Sequence, residues 1–226
     1  MSAEVAGMGR AKTEGPLKVA VPRGALLGET LDALDAAGID TSEVRGESRS
    51  LIFPGQNITL VTMRPSDVPT YVEAGAADVG ITGKDVLLEQ ADRVVYELLD
   101  LGFGRCRMVL AGRVGDERLG ESARRLGMMR IATKYPRIAE RYFEGTGRQV
   151  EVIEVKGSVE LAPLIGLADG IVDLVATGRT LEENDLEVRE EILECTARFV
   201  ANRVAHKLRA REVDGLAAKL RQGLAR

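Results

Sequence analysis

Gly170-Ile-Val-Asp-Leu-Val-Ala-Thr-Gly-Arg-Thr-Leu181 is the stretch from which the rest of the chain can be read. Ile171 to Ala176 is apolar, rich in β-branched residues and broken once, by Asp173, which predicts a short buried strand. Thr177-Gly178-Arg179-Thr180 follows as a turn, and a polar helical pattern is expected from Leu181 to Leu186. A strand that ends in a Gly/Thr turn and opens a helix aims backbone N–H groups at one point. That point favours an anion, because the first N–H groups of a helix lack partners and carry partial positive charge. Thr177 and Thr180 would add hydroxyl donors, Gly178 a close backbone approach, and Arg179 a positive charge. Asp173 is out of place, since a carboxylate in an apolar strand costs free energy unless it finds partners. For these letters alone, a plain strand-to-helix turn holding a structural aspartate is the alternative.

The 226 residues are 45% hydrophobic and 29% charged, an ordinary globular composition long enough for one large domain or two lobes. The net charge of −4 gives no general attraction to nucleic acid or to anionic membrane. No run approaches the roughly 18 apolar residues of a membrane span. Residues 1–15 read as a disordered lead-in without the apolar stretch of a secretory signal. Two cysteines, Cys106 and Cys195, cannot build a disulfide framework or a Cys-rich zinc site, which points to a reducing, cytoplasmic setting. The one histidine, His206, reads as a surface residue and argues against a His-dependent triad or a multi-His metal site.

Strands and helices alternate along the chain, which predicts an α/β fold with mixed, largely parallel sheets. Leu17–Val21 is a strand, Pro22-Arg23-Gly24 a turn, and Ala25–Ala37 a helix stopped by Gly38. Residues 40–49 read as a polar connection. Leu51–Phe53 and Ile58–Thr62 form a hairpin about the Pro54–Asn57 turn. A helix follows over Val68–Ala74, capped by Ser66 or Asp67. Ala77–Ile81 is a strand ended by Thr82-Gly83, and Lys84 to about Gln90 a helix. Val94–Leu101 and Cys106–Ala111 are extended, and residues 112–127 read as charged helix. Arg130–Thr133 and Val150–Val155 are strands around a helix over Pro136–Phe143. Gly157–Glu160 opens a helix to Ala168. One or two strands over Glu190–Val200 precede a C-terminal helix, Ala201–Leu224, weakened at Gly215.

Gly75, Asp78 and Thr82-Gly83 recur without gaps as Gly170, Asp173 and Thr177-Gly178, 95 residues apart. Each copy follows a short helix with an early proline, Pro69 or Pro163. Chance similarity of two strand-to-helix turns is the alternative. A true repeat would mean two lobes of similar plan, with their loops facing a shared cleft.

Five stretches together resemble the ATP phosphoribosyltransferase family in its short form. They are Pro22-Arg-Gly24; Ser48-Arg-Ser-Leu51; Arg64-Pro-Ser-Asp67 with Asp78-Val-Gly-Ile-Thr-Gly-Lys-Asp85; Arg130-Ile-Ala-Thr-Lys-Tyr-Pro136; and Gly157-Ser-Val-Glu160 through Gly166-Leu-Ala-Asp169 to Leu181. The resemblance implies two lobes around a cleft, like type II periplasmic binding proteins. Lobe one would take residues 16–107 and 188–226, and lobe two, which binds phosphoribosyl pyrophosphate, residues 108–187. The implied reaction is attack of adenine N1 of ATP on C1 of phosphoribosyl pyrophosphate with loss of pyrophosphate, the first step of histidine biosynthesis. The resemblance places Thr177, Gly178, Arg179, Thr180 and Leu181 around the 5′-phosphate. Asp173, with Asp169 as a weaker candidate, falls on the ribose hydroxyls. Glu160 falls near the ribose or the metal-bound diphosphate, with helix capping as its alternative. Arg23 and Arg49, with Asp173, are the expected catalytic residues. Arg23, Gly24, Arg49, Arg64, Thr133 and Tyr135 are the expected ATP contacts, although Tyr135 reads equally as core. Ala25 stands where the family usually has a second basic residue. Mg²⁺ would be held by substrate oxygens and water, with no side-chain ligand expected. A regulatory subunit resembling histidyl-tRNA synthetase is implied as partner, the chain forming a homodimer within a hetero-octamer. The chain ends near Arg226, before the regulatory domain of the family's long form. A non-catalytic small-molecule binder and a phosphoribosyltransferase with another acceptor remain as alternatives. A receptor of this fold would need a signal peptide and a regulator a DNA-binding module, and neither is read before Leu17.

Overall fold

The structure, a computed structural model, describes residues 15–46, 49–116 and 128–224. Residues 1–14 of the expected lead-in, Ser48 of the second motif and residues 117–127 of the expected charged helix lie outside the described residues. The chain divides into two compact units: unit 1 ends at Gly104 and resumes at Thr196, and unit 2 spans Arg105–Cys195. Boundaries at 107/108 and 187/188, expected from the sequence, fall inside two strands that pair with each other, β6 (Cys106–Arg113) and β10 (Leu186–Cys195).

Unit 1 is built on β1 (Leu17–Pro22), β2 (Ile52–Pro54), β3 (Ile58–Met63), β4 (Val79–Gly83), β5 (Val95–Asp100) and β11 (Ala197–Asn202), in the order β2-β3-β1-β4-β11-β5. β3, β1 and β4 are parallel, while β2, β11 and β5 join antiparallel. β1 is buried on both faces, so it reads as a continuous apolar run rather than an alternation. Val19 and Val21 pack beneath α1 (Leu27–Ala36) and α9 (Ala210–Leu224), through Leu31, Leu34, Val213, Leu216 and Leu220. Ala20 faces the other way, toward Val68 and Val72 of α3 (Val68–Glu73). α3 lies so close that a Cβ on Gly80 would come within 2.6 Å of Val68 Cγ1.

Several boundaries differ from the sequence reading. A 3₁₀ turn, Gly24–Leu26, precedes α1. The polar connection contains a short helix, α2 (Ser42–Arg45), held by side chains: Thr41 Oγ1 donates to Asp35 and Arg45 pairs with Asp32 and Asp35. Asp67 occupies the N-cap of α3 but makes no side-chain cap, because Pro65–Asp67 is itself a 3₁₀ turn running into the helix. Thr82 and Gly83 belong to β4, which passes directly into α4 (Lys84–Glu89). The single C-terminal helix expected, with Gly215 as its weak point, is instead two, α8 (Arg203–Leu208) and α9, separated at Arg209, and α9 runs through Gly215. Asn202 ends β11 and caps α8, its Oδ1 accepting from the N–H groups of Val204 and Ala205. The Arg209 guanidinium turns inward to Asp78 Oδ2 at 3.2 Å.

Unit 2 carries β6, β7 (Met129–Thr133), β8 (Val150–Glu154), β9 (Gly170–Val175) and β10, in the order β10-β6-β9-β7-β8. β9, β7 and β8 are parallel, and β6 and β10 add antiparallel. Both sheets are therefore mixed. Each has a parallel part of three adjacent strands, inside the sheet in unit 1 and at its β8 edge in unit 2, and among the described pairings the antiparallel ones outnumber the parallel by five to four. Gly112 and Arg113 are the end of β6, not the start of a helix. α5 (Pro136–Gly145) buries Ile138, Ala139 and Phe143. The helix expected from Gly157 to Ala168 is only α6 (Leu161–Leu164), ended before Gly166, whose φ of +76° suits glycine. α7 covers Arg179–Glu183, because Leu186 is already in β10.

The two units repeat one motif, at a spacing of 91 rather than 95. Gly75 and Gly166 both take positive φ, +71° and +76°. Ala76 and Ala77 donate to the carbonyl of Tyr71 as Leu167 and Ala168 donate to that of Ala162. Lys18 N–H donates to Asp78 Oδ2 at 2.8 Å, and Arg130 N–H to Asp169 Oδ2 at 2.8 Å. Asp78 therefore matches Asp169, and Asp173 matches Thr82. The following helices, starting at Lys84 and Arg179, are 95 residues apart. Unit 2 has gained four residues between strand and helix, and the ungapped match of the sequence aligned the turns correctly but the strand starts wrongly.

Candidate functional site

The four added residues create a loop. β4 runs straight into α4, whereas β9 is one residue longer and is followed by Ala176-Thr177-Gly178 before α7. Gly178 sits at the N-cap with φ +87°. A Cβ there would meet only Val175 Cγ1, at 3.9 Å, so glycine is required by the backbone angle and not by space. The first intrahelical bond runs from Glu182 N–H to Gly178 O, so the N–H groups of Arg179, Thr180 and Leu181 precede the helical ladder. Arg179 N–H reaches Thr177 Oγ1 at 3.4 Å. Leu181 is buried and roots the helix in the core of unit 2, while Thr177 and Thr180 are exposed. Arg179 pairs with Glu183 one turn on, at 2.8 Å, with both side chains largely in solvent. Such a pair is weak and leaves the guanidinium able to exchange partners.

Asp173 lies under this loop. It shares a face of β9 with Ile171 and Val175, the face covered by Val159 and Ala162. The residue is 8% exposed. Its Oδ1 accepts the N–H of Leu174 at 2.9 Å, and Lys134 Nζ lies 3.9 Å from Oδ2. Burial raises its pKa above the ordinary aspartate value; the Leu174 N–H and Lys134 oppose this, and the charge of Glu160 adds to it. An ionised carboxylate offers about four acceptor positions, and these contacts engage two. Hydroxyl donors from a sugar can take the others.

The structure thus brings Asp173, Glu160 and the 177–181 loop together and adds Lys134, which the sequence reading did not select. Glu160 stands at the N-cap of α6 without a side-chain cap bond, against the capping alternative. Thr133 is fully buried and its hydroxyl is committed: it donates to Val172 O at 2.6 Å and accepts from Tyr135 N–H at 2.9 Å. It therefore holds the turn that presents Lys134 and the half-buried Tyr135. Asp169 is not with this group. It precedes β9, at the strand's other end, where it accepts from Arg130 N–H and lies 3.7 Å from the Arg130 guanidinium.

In unit 1, Arg23 and Arg64 leave the C-terminal ends of the adjacent parallel strands β1 and β3, where Pro22 is in register with Met63. Arg23 N–H donates to Met63 O at 2.7 Å, and Gly24 takes φ +76°. Arg49 arrives at the same edge just ahead of Leu51, whose carbonyl accepts from Thr62 N–H. The three guanidinium-bearing side chains are exposed. Among the described residues, no group of three or more His, Cys, Asp or Glu could hold a metal ion, and no helix is long and apolar enough to cross a membrane.

A family model described as ATP phosphoribosyltransferase matches residues 64–222. A relative of that name from Rubrobacter xylanophilus is 54% identical over 207 residues, covering 90% of this chain and 94% of its own. One from Desulfitobacterium hafniense is 47% identical over 215 residues, 91% and 95% of the two chains. A solved structure titled an ATP phosphoribosyl transferase (HisG:HisZ) complex, from Thermotoga maritima, is 37% identical with a TM-score of 0.77, over 92% of this chain and 98% of that one. The periplasmic aliphatic sulphonate binding protein SsuA of Escherichia coli superposes with a TM-score of 0.59 over 94% of this chain and 73% of its own, at 12% identity, a likeness of fold alone.

Proposed function

The chain belongs to the ATP phosphoribosyltransferase family, and from that membership we propose how its residues carry the transfer of a phosphoribosyl group to ATP. In this reaction adenine N1 displaces pyrophosphate from C1 of phosphoribosyl pyrophosphate, opening histidine biosynthesis. N1 already holds a lone pair, so no general base is needed. Breaking the C1–O bond places positive charge on the ribose and negative charge on pyrophosphate, and orientation and fixed charges carry the catalysis.

The observation that carries the assignment is the loop inserted between strand and helix beside a buried, under-coordinated carboxylate. Thr177, Gly178, Thr180 and Leu181 take the 5′-phosphate through N–H and hydroxyl donors, with Arg179 released from Glu183 to add its charge. Asp173 accepts from the ribose hydroxyls, and Lys134 keeps it ionised in its buried position. Glu160 stands near the ribose. Arg23 and Arg49 serve substrate phosphates, the leaving pyrophosphate above all, and Arg64, Gly24 and Tyr135 contribute to ATP. Mg²⁺ enters with the pyrophosphate oxygens as part of the substrate. A regulatory subunit works with this chain, as the Thermotoga complex indicates, and a cytoplasmic setting goes with this reading.

Pyrophosphate release from phosphoribosyl pyrophosphate and ATP, measured with the regulatory subunit present, tests the assignment. The chain is expected to turn over and Asp173→Ala to stop turnover while remaining folded. Absence of product with the partner present overturns the function; unchanged turnover in Asp173→Ala removes that residue from the site.

A further inference from the structure

Cys106 and Cys195 face each other. In the antiparallel pairing of β6 with β10, two irregularities fall between Val188 and Glu190 and between Glu191 and Leu193. Beyond them the register is regular: Leu193 opposite Met108, Glu194 opposite Arg107, Cys195 opposite Cys106. Directly opposed residues of an antiparallel pair have Cα atoms about 4.5–5.5 Å apart and side chains on one face. That lies inside the roughly 4.4–6.8 Å range that disulfides span. The sequence reading excluded a structural disulfide framework, and both residues are thiols in the structure. Their placement nevertheless meets the requirement for a reversible bond.

The surroundings differ for the two sulfurs. Cys195 is 2% exposed and Cys106 is half-buried. Both line a cavity of about 210 Å³ with Arg105, Arg107, Glu194 and Ala176. This space admits a small polar oxidant to Cys106 first. Ala176 is the residue from which the Thr177–Leu181 loop springs, and β6 pairs with the end of β9, Arg107 opposite Val175.

We propose that Cys106 and Cys195 are a site of reversible covalent modification, at which hydrogen peroxide joins them as a cross-strand disulfide beside the root of the anion loop. The Cys106 sulfur attacks one peroxide oxygen, the O–O bond breaks, and water leaves, giving a sulfenic acid. The Cys195 sulfur then attacks the Cys106 sulfur and displaces the hydroxyl group, which leaves as a second water with the Cys195 proton. Two thiols are oxidised and one peroxide is reduced to two waters. A dithiol reverses the bond by exchange. The effect on substrate rests on the reading of Thr177–Leu181 as the phosphate loop: pinning β6 to β10 fixes the backbone at Ala176 and changes the apparent affinity for phosphoribosyl pyrophosphate.

The full chain with its regulatory subunit is reduced, exposed to stoichiometric hydrogen peroxide, and examined by thiol titration and peptide mass mapping. Both thiols are expected to disappear together into one intramolecular Cys106–Cys195 peptide, reversibly with dithiothreitol. Cys195→Ser should leave a trappable sulfenic acid at Cys106, and Cys106→Ser should leave Cys195 unreacted. Independent oxidation of the two cysteines, disulfides between chains, or no reaction overturns the pairing. The KM for phosphoribosyl pyrophosphate is expected to shift severalfold on oxidation in the native chain and not in Cys106→Ser. An unchanged KM with the disulfide formed overturns its link to the loop. Failure of the reduced protein to turn over would count against the enzymatic reading and leave the disulfide mapping to decide the modification site.

Discussion

Unit 1 and unit 2 contain the same helix–glycine–aspartate–strand motif, and they part company where the strand meets the next helix. In unit 1 the space above the turn is filled from within. Asp85 is buried, and a Cβ on Gly83 would lie 2.0 Å from its Oδ1. A carboxylate folded onto the turn supplies the negative charge that a helix start favours. In unit 2 the equivalent helix position is Thr180, which is exposed, and the added residues lift the turn away from the strand. The same architecture gives a self-occupied turn in one unit and an open one in the other. The extra carboxylate in unit 2 sits below the loop, as Asp173, where unit 1 has Thr82 bonded to Pro65 O at 2.8 Å.

The paired aspartates at the strand starts give the largest contrast. Asp78 meets the buried Arg209, whereas Asp169 meets Arg130, whose side chain is 45% exposed. Asp78→Ala leaves Arg209 its pair with Glu212 and its bond to Gly15 O, but removes a buried charge partner and the acceptor of the Lys18 N–H, and is expected to cost about 2–3 kcal/mol of stability. Asp169→Ala is expected to cost only about 1–2 kcal/mol, the loss of an acceptor for a backbone N–H. Denaturant unfolding of both variants makes the comparison, and equal costs would dissolve it.

Importing the unit 1 arrangement should close the open turn. Thr180→Asp is expected to weaken phosphoribosyl pyrophosphate binding beyond Thr180→Val, which removes one donor at about 1–3 kcal/mol. Titration calorimetry of the two variants checks the order, and an equal loss would show that charge at this position does not matter. Gly178→Ala is expected to cost about 1–2 kcal/mol through its left-handed backbone and to raise the KM for the same substrate.

The smallest effect has the opposite sign. The folded-state pKa of Asp173 is raised, chiefly by burial, so the native protein binds more protons than the unfolded chain between the ordinary aspartate value and the raised one. Stability from this residue therefore falls as pH rises through that window, and at neutral pH the buried charge is a cost. Asp173→Asn should raise the melting temperature at neutral pH, with a smaller gain at acid pH, while turnover is lost. A lower melting temperature at neutral pH would show that Lys134 and Leu174 more than offset the burial.

Asp173 was legible because a charge inside an apolar strand is a local anomaly, and Thr177-Gly178 because turn residues announce themselves. The β2–β3 hairpin was legible for the same reason. The four-residue offset was not, since Gly, Asp and Thr-Gly letters satisfy a 95-residue frame without a gap. The hydrogen bonds of Asp78 and Asp169, with the positive-φ glycines ahead of them, fix the true frame. Lys134 was hidden because its partner is 39 positions away, brought near by β7 lying parallel to β9. α2 escaped because four residues have no helical period to show, and its stability comes from Asp35 binding Thr41 and Arg45. The break at Arg209 was not legible, because arginine is a good helix former and its ion pair with Asp78 joins residues 131 positions apart.

The position of β11 has a consequence for synthesis. It lies between β4 and β5 in the sheet of unit 1 and is made after all of unit 2. As the chain leaves the ribosome, β5 waits without its strand neighbour while the contiguous unit 2 can complete its sheet. The connectivity therefore lets unit 2 complete its sheet before unit 1 can, against the usual N-terminal-first order of domain folding. The sheet of unit 1 cannot be completed until residues 197–202 emerge, and until then the β4 edge is open to wrong partners.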